Sequence, residues 1–264
     1  MGALSALAAD PVRRALAAGD VGGAEDAWQA LSQEESGDTG TWTLGVSLAG
    51  WRGDRAAALE RERLGRDTLA EAATPWLERH RLALAAGQAA LRAGELRAAL
   101  PLFGEALGQT EWQPGHPAAI DALLGMATLH ALYAAPRKAA SQVARAIERS
   151  GTRWGHAPAA AYPVSAWSRS ARAHWVSLVV GVRTQRLPRE RAAGRAARLA
   201  AGWRLAGCEP QFLQLQTDSA VLAGDDARAE QLVERARGLG LGGVEGRARL
   251  LRDALSATGE RRRG

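Results

Sequence analysis

Residues 80–113 of the chain read HRLALAAGQAALRAGELRAALPLFGEALGQTEWQ. Apolar residues recur at helical spacing on both sides of Ala93-Gly94-Glu95, and this tripeptide is typical of a break between two helices. The stretch therefore predicts a helix-turn-helix unit that turns at Gly94. A helix with a single apolar face cannot bury that face alone, so such a unit needs stacked neighbours of the same kind.

The same pattern returns along the rest of the chain. Turn signals at Gly19-Asp20 and Gly53-Asp54 lie 34 residues apart, and later turns fall at Pro136, Pro188 and Gly224. We predict an all-α fold, an α-solenoid of about six antiparallel helix pairs, with a last helix, Val244–Ala257, that caps the stack. The predicted repeat domain covers residues 1–258 with an irregular insert at 150–163, and the basic tail 259–264 is expected to be disordered.

The unit at residues 80–113 resembles a tetratricopeptide repeat, whose period is 34 residues. The conserved small and aromatic positions of that family, the eighth, twentieth, twenty-fourth and twenty-seventh, fall on Gly87, Ala99, Phe103 and Ala106. The large residues of the family's first helix are replaced by alanine at positions 83, 86 and 90. The first helix of the unit therefore carries smaller side chains here. The resemblance extends over residues 5–240 and implies a right-handed superhelix whose concave groove is lined by the first helix of each pair.

In this family the groove usually holds a peptide or another protein, and related solenoids serve as sensor or partner-binding parts of transcription regulators. The resemblance therefore implies a non-catalytic interaction module in a regulatory system. The groove positions that it implies are Arg81, Leu84, Gln88, Leu91, Arg92, Thr128, Leu132, Gln211, Gln214 and Asp218. The sequence names neither the partner nor the oligomeric state, and a homo-oligomer stays open.

Charge is unevenly distributed along the chain, whose net charge is +6. Ten arginines and a single acid, Glu190, lie between Arg153 and Arg204. Arg169, Arg172, Arg191, Arg195 and Arg198 fall at helical spacing on two neighbouring predicted helices, with Trp154, Trp167, Trp175 and Trp203 nearby. Arginine binds phosphate and tryptophan stacks on bases, so nucleic-acid binding is the alternative function. An acidic protein partner, a solvated basic face or pairing with the acidic first half also stay open.

Signatures of other classes of function are weak in this sequence. The five histidines form no metal-ligand spacing, no nucleophile motif occurs, and we predict neither a catalytic residue, a metal nor a cofactor. The glycine-rich stretch 238–243 lies between two predicted helices and is expected to be a turn rather than a phosphate loop. Asp225-Asp226 is expected to cap a helix, and Trp28, Trp42 and Trp76 to pack between helices.

Targeting signals are also missing from the pattern. No run of apolar residues is long enough for a transmembrane helix. The first residues carry no basic segment before their apolar stretch, and the single cysteine, Cys208, forms no internal disulfide. These features predict a cytoplasmic protein that does not bind membranes.

Overall fold

A computed structural model describes residues 11–34, 38–72, 74–133, 135–150 and 164–260 of the chain. This part of the chain contains thirteen α-helices, one short 3-10 helix at Leu69–Glu71 and no strand, which confirms the all-α prediction. The helices are α1 Pro11–Ala17, α2 Val21–Glu34, α3 Thr39–Arg52, α4 Arg55–Asp67, α5 Pro75–Arg92, α6 Leu96–Gly108, α7 Pro117–Leu132, α8 Pro136–Ser150, α9 Val164–Arg183, α10 Arg189–Leu205, α11 Glu209–Ala223, α12 Asp226–Gly238 and α13 Gly243–Glu260. The predicted insert, apart from its first residue, Ser150, and residues 261–264 of the basic tail lie outside the described residues.

Helix ends follow from capping residues that the sequence makes visible. The side chains of Asp38, Asp54 and Asp225 each accept a hydrogen bond from a backbone N–H in the first turn of α3, α4 and α12. Gly53 and Gly224 end α3 and α11 in the left-handed conformation, with φ of 74° and 79°. The predicted cap at Asp225 is therefore confirmed, and the turns lie where glycine was expected.

Consecutive helices pack against each other throughout the described chain, and α5 also packs on α3 and α7. The unit quoted above forms α5 and α6, with Phe103 of α6 fully buried. A Cβ atom on Gly87 of α5 would lie 2.8 Å from the Phe103 ring, and one on Gly125 of α7 would lie 2.7 Å from it. Phe103 thus fills a slot that exists only because both neighbouring helices carry glycine at the contact.

Helix α13 does not cap one end of the array, which corrects the prediction. It packs against α3, α5, α7, α9, α11 and α12, and its residues Val244, Ala248 and Leu251 are completely buried. The close approach depends on glycine, because a Cβ on Gly243 would lie 2.3 Å from the Gly50 carbonyl oxygen and one on Gly246 would lie 1.9 Å from that of Arg92. The first turn of α13 therefore packs directly on the C-terminal ends of α3 and α5. This arrangement is favourable because the positive end of the α13 dipole meets the negative ends of the other two helix dipoles.

Helices near the two ends of the described chain also touch. Helix α1 contacts α11, and a Cβ on Gly19 would lie 3.2 Å from the side chain of Glu209. A Cβ on Gly240, in the turn before α13, would lie 3.3 Å from Val21 of α2. The helices consequently surround α13 on several sides and enclose an interior. Over the described residues, no helix has both the length and the apolar character needed to cross a membrane.

Candidate functional site

A cavity of about 160 Å³ lies in this interior, at the point where α5, α7, α9, α11 and α13 come together. Apolar and aromatic side chains make up one part of its wall, and arginine, glutamine and hydroxyl side chains make up the rest. The lining residues are Trp51, Gln88, Leu91, Arg92, Phe103, Gly125, Thr128, Ser168, Ala171, Arg172, Trp175, Trp203, Gln211, Gln214, Leu215 and Arg247. A mostly apolar pocket with a few convergent polar groups is the usual form of a small-molecule site.

Arg92 is the last residue of α5 and turns its guanidinium into the interior. The guanidinium carbon stacks 3.7 Å from the centre of the Trp51 ring, and the Nε atom is buried without a hydrogen-bond partner. Burial lowers the pKa of Arg92 to about 9, and the positive charges of Arg247 and Arg172 act in the same direction. Among the described residues, no carboxylate lies within ion-pair distance of Arg92, which stays cationic at neutral pH.

Arg172 of α9 approaches the cavity from another side. Burial lowers its pKa, and the nearby carboxylate of Asp121 opposes this effect. Both oxygens of Asp121 are already held by Arg169, whose Nε and Nη2 atoms donate to them at 3.0 and 2.8 Å. The Nη1 atom of Arg172 is buried without a hydrogen-bond partner. Asp121 is therefore hydrogen-bonded to Arg169, and among the described residues no carboxylate lies within ion-pair distance of Arg172.

Arg247 of α13 is the third arginine on the wall and has an acidic partner. Its Nη2 atom donates to Asp218 Oδ2 at 3.4 Å, and its guanidinium carbon lies 4.3 Å from the centre of the Trp175 ring. Asp218 is fully buried, and burial raises the pKa of its carboxyl while Arg247 acts to lower it. Counting this pair as neutral, the cavity keeps the two positive charges of Arg92 and Arg172.

Two glutamines of α11 present hydrogen-bond acceptors to the same space. Gln214 Nε2 donates to Asp218 Oδ1 at 3.1 Å, and this bond fixes the orientation of the amide. The Oε1 atoms of Gln214 and Gln211 are both buried without a hydrogen-bond donor. Buried polar atoms in native proteins nearly always have a partner, so these two oxygens indicate where a donor group would bind.

Six of the ten residues expected in the groove lie on the cavity wall: Gln88, Leu91, Arg92, Thr128, Gln211 and Gln214. Asp218 lies just behind the wall as the partner of Arg247. Leu132 is buried in the core and Leu84 is half-buried, its Cδ1 atom 3.2 Å from a Cβ placed on Gly125. Arg81 is exposed and pairs with Glu78 at 2.7 Å, so it faces away from the interior.

The structure separates the five arginines of the alternative nucleic-acid surface. Arg169 is engaged by Asp121 and Arg172 lies in the cavity, whereas Arg191, Arg195 and Arg198 are exposed on α10. The expected aromatic margin is also wrong for Trp175 and Trp203, which are buried on the cavity wall. Trp154 and the side chain of Trp167 lie outside the described residues. Because α9 packs against α13, Arg172 and Trp175 of α9 face the cavity and not solvent.

Other sequence predictions concern structure rather than ligand binding. The glycine-rich stretch 238–243 is the turn between α12 and α13, as expected. Cys208 is a buried free thiol, and burial raises its pKa. Trp28 is buried between α2 and α3, where its indole N–H donates to the Thr41 carbonyl at 2.9 Å. Trp76 meets Trp112 edge to face at 5.0 Å between ring centres.

Several cavity residues escaped the sequence reasoning. Arg247 lies in the helix that the sequence predicts as a terminal cap, and Trp51 and Ser168 carry no signal that distinguishes them from other helix residues. Trp175 was predicted at the margin of a nucleic-acid surface and not in a cavity. No protein-family model, curated protein or solved structure matches the chain. The geometry of the cavity is therefore the basis for a functional proposal.

Proposed function

We propose that this chain is a non-catalytic recognition module, built from tetratricopeptide-like helix pairs, that binds a small anionic ligand in the cavity around Arg92 and Arg172. The observation that carries the proposal is the pair of inward-facing guanidiniums without a carboxylate partner. Burying a charge is costly unless the charge is paired. An anion bound between these two arginines supplies that pairing, and charge-assisted hydrogen bonds to arginine are among the strongest in proteins.

The composition of the wall favours recognition over catalysis. Guanidinium, amide and indole groups do not exchange protons readily at neutral pH, and they orient a ligand through hydrogen bonds and stacking. The position of α13 favours a small ligand over a partner helix, because α13 itself packs against α3, α5, α7 and α11. A regulatory role follows if ligand binding changes the free energy of unfolding of this helical array.

The repeat assignment rests on the slot around Phe103. Gly87 and Phe103 lie at the positions where the tetratricopeptide pattern expects a small and a large residue, and they are in direct contact. Ala99 and Ala106, on the same helix as Phe103, are fully buried. This packing supports a superhelix of similar pairs that lines the interior with its first helices.

Calorimetric titration with small anions tests the proposal. We expect saturable binding of at least one anion by the native chain, with a rise in melting temperature that follows its concentration. Arg92→Gln should weaken this binding at least about 10-fold, because the charge-assisted bond to the anion is lost. The matched control is Arg97→Gln, the same change at an exposed arginine of α6. Equal affinities for the two variants would refute the assignment.

A second candidate function is nucleic-acid binding by the exposed face of α10. Arg191, Arg195 and Arg198 lie on one side of that helix, and none of them is held in an ion pair within the described part of the chain. Such a face binds the phosphates of a nucleic acid with an affinity that falls steeply with added salt. A mobility shift at about 50 mM salt that disappears in the triple Arg→Gln variant would support it. An unchanged shift in that variant would count against it.

A further inference from the structure

We infer that the ligand of the central cavity is a small phosphate monoester whose organic part carries a hydroxyl group. This inference rests on the proposed function and deepens it by naming the chemical class. Three features of the cavity lead to it: the convergence of three arginines, the surplus of two positive charges, and the two acceptor oxygens of α11 that lack donors.

The three arginines converge on one place from three different helices. Arg92 comes from α5, Arg172 from α9 and Arg247 from α13, and all three line the same cavity. Their charges are close enough to repel one another, since Arg247 acts on both Arg92 and Arg172. A phosphate group presents three acceptor oxygens in different directions, whereas a carboxylate presents two in one plane. A tetrahedral anion therefore fits donors that approach from three sides better than a planar one.

The charge of the cavity points to a dianion. The Arg247–Asp218 pair is neutral as a unit, which leaves Arg92 and Arg172 without compensation. A phosphate monoester carries a charge of about −1.5 to −2 at neutral pH. A monocarboxylate leaves one of the two guanidiniums uncompensated. A dicarboxylate spreads its two charges over separate ends, which does not match three arginines around one small space.

The other residues of the cavity wall indicate the chemistry of the organic part of the ligand. Trp203 and Leu215 supply apolar surface, while the Oε1 atoms of Gln211 and Gln214 accept hydrogen bonds and have no donor. A hydroxyl next to the phosphate supplies that donor. The cavity volume of about 160 Å³ is close to the roughly 150 Å³ that holds a benzene molecule in an engineered protein cavity. A phosphate on a chain of a few carbon atoms is therefore the size that fits.

Titration calorimetry with a matched series of probes tests the inference on the full chain. The probes are glycerol 3-phosphate, propyl phosphate, inorganic phosphate, succinate and acetate. Propyl phosphate has the same carbon chain as glycerol 3-phosphate without its hydroxyls. We expect glycerol 3-phosphate to bind at least about 5-fold more tightly than propyl phosphate, since the latter leaves buried acceptors unsatisfied. Both should bind more tightly than succinate and acetate.

Two variants assign the contacts. Gln211→Met keeps the size of the side chain and removes its acceptor, so it should lower the affinity for glycerol 3-phosphate and leave that for propyl phosphate nearly unchanged. Arg172→Gln should weaken both phosphate esters at least about 10-fold. Arg97→Gln, at an exposed position of α6, should change neither affinity.

The outcomes separate this inference from the proposed function. If succinate or acetate binds as tightly as the phosphate esters and depends on Arg92, the ligand class is wrong and the cavity is still an anion site. If glycerol 3-phosphate and propyl phosphate bind equally, the hydroxyl assignment is wrong. If no probe binds, or if binding is unaffected by Arg92→Gln and Arg172→Gln, the inference and the proposed function both fail.

Discussion

The substitution Arg92→Met should stabilise the ligand-free protein, although it removes a side chain from the interior. Replacing a large side chain in the interior usually lowers the stability of a protein. Arg92 differs because its guanidinium has no carboxylate partner and two further arginines face it across the cavity. Methionine keeps an unbranched chain that fills the space along Trp51, and it carries no charge.

The size of the effect follows from two opposing contributions. Burial and neighbouring charges lower the pKa of Arg92 to about 9. An ordinary arginine titrates above about 12 and each pKa unit is worth about 1.36 kcal/mol, so the charged form costs about 4 kcal/mol at neutral pH. Stacking on Trp51 at 3.7 Å offsets about 2 kcal/mol of this cost. We therefore expect Arg92→Met to raise the free energy of unfolding by about 2 kcal/mol, and the melting temperature by about 4 to 8 °C.

The pH dependence of this difference identifies its cause. Below pH 9 the arginine is protonated in both the folded and the unfolded chain, so the native protein bears the whole cost. Above that pH the folded protein releases a proton that the unfolded chain still binds, and stability rises with pH. The advantage of Arg92→Met should therefore shrink by about 2 kcal/mol between pH 8 and about pH 10.5.

Urea unfolding of the native chain and of the variant at several pH values measures this difference directly. Arg81→Met is the matched control, since Arg81 lies on the same helix, is 55% exposed and pairs with Glu78. That substitution should change stability by less than about 1 kcal/mol. A less stable Arg92→Met variant at neutral pH, or a stability gain that does not change with pH, would refute the reasoning.

Three further predictions concern the packing that forms the cavity. Gly246→Ala should destabilise the fold by about 1 to 3 kcal/mol, because its Cβ would lie 1.9 Å from the Arg92 carbonyl oxygen. The control is Gly238→Ala, since nothing lies within 4 Å of a Cβ placed there. Thermal melting compares the two variants. Phe103→Ala should cost about 3 to 5 kcal/mol in chemical unfolding, since this fully buried ring fills a slot of its own. Asp121→Asn should destabilise the protein by about 1 to 3 kcal/mol in the same assay, because it leaves the partly buried Arg169 without its carboxylate. A neutral effect would show that solvent replaces this pair.

The helices of this fold were predictable because their signals are local. Proline, glycine and aspartate mark the ends, as at Asp54 and Gly224, and the turns predicted at these residue types lie between helices in the structure. The register of the pair around Phe103 was visible for the same reason. A small residue in one helix and a large one in the next follow fixed offsets in the sequence, and those offsets become a direct contact in the structure.

The place of α13 and the inward direction of three arginines were not predictable in this way. A repeat pattern indicates which face of each helix contacts its neighbours, but it does not indicate what fills the space they enclose. Arginine at a helical position is normally read as exposed, since its charge favours water. Arg172 and Arg247 face inward because their helices converge on the same interior, and this convergence depends on contacts between residues far apart in the chain.

Arg92 links the architecture of the chain to its proposed ligand. Its carbonyl oxygen forms the surface on which Gly246 packs, while its guanidinium faces the cavity. The next residue of α13, Arg247, turns into that cavity, so the contact that seats α13 also brings the third arginine to the site. In the proposed complex the anion offsets the positive charges of Arg92 and Arg172, which oppose this seating when the cavity holds no anion. The proposed function therefore predicts that occupancy of the cavity strengthens the docking of α13, so that the stability of the chain reports the bound ligand.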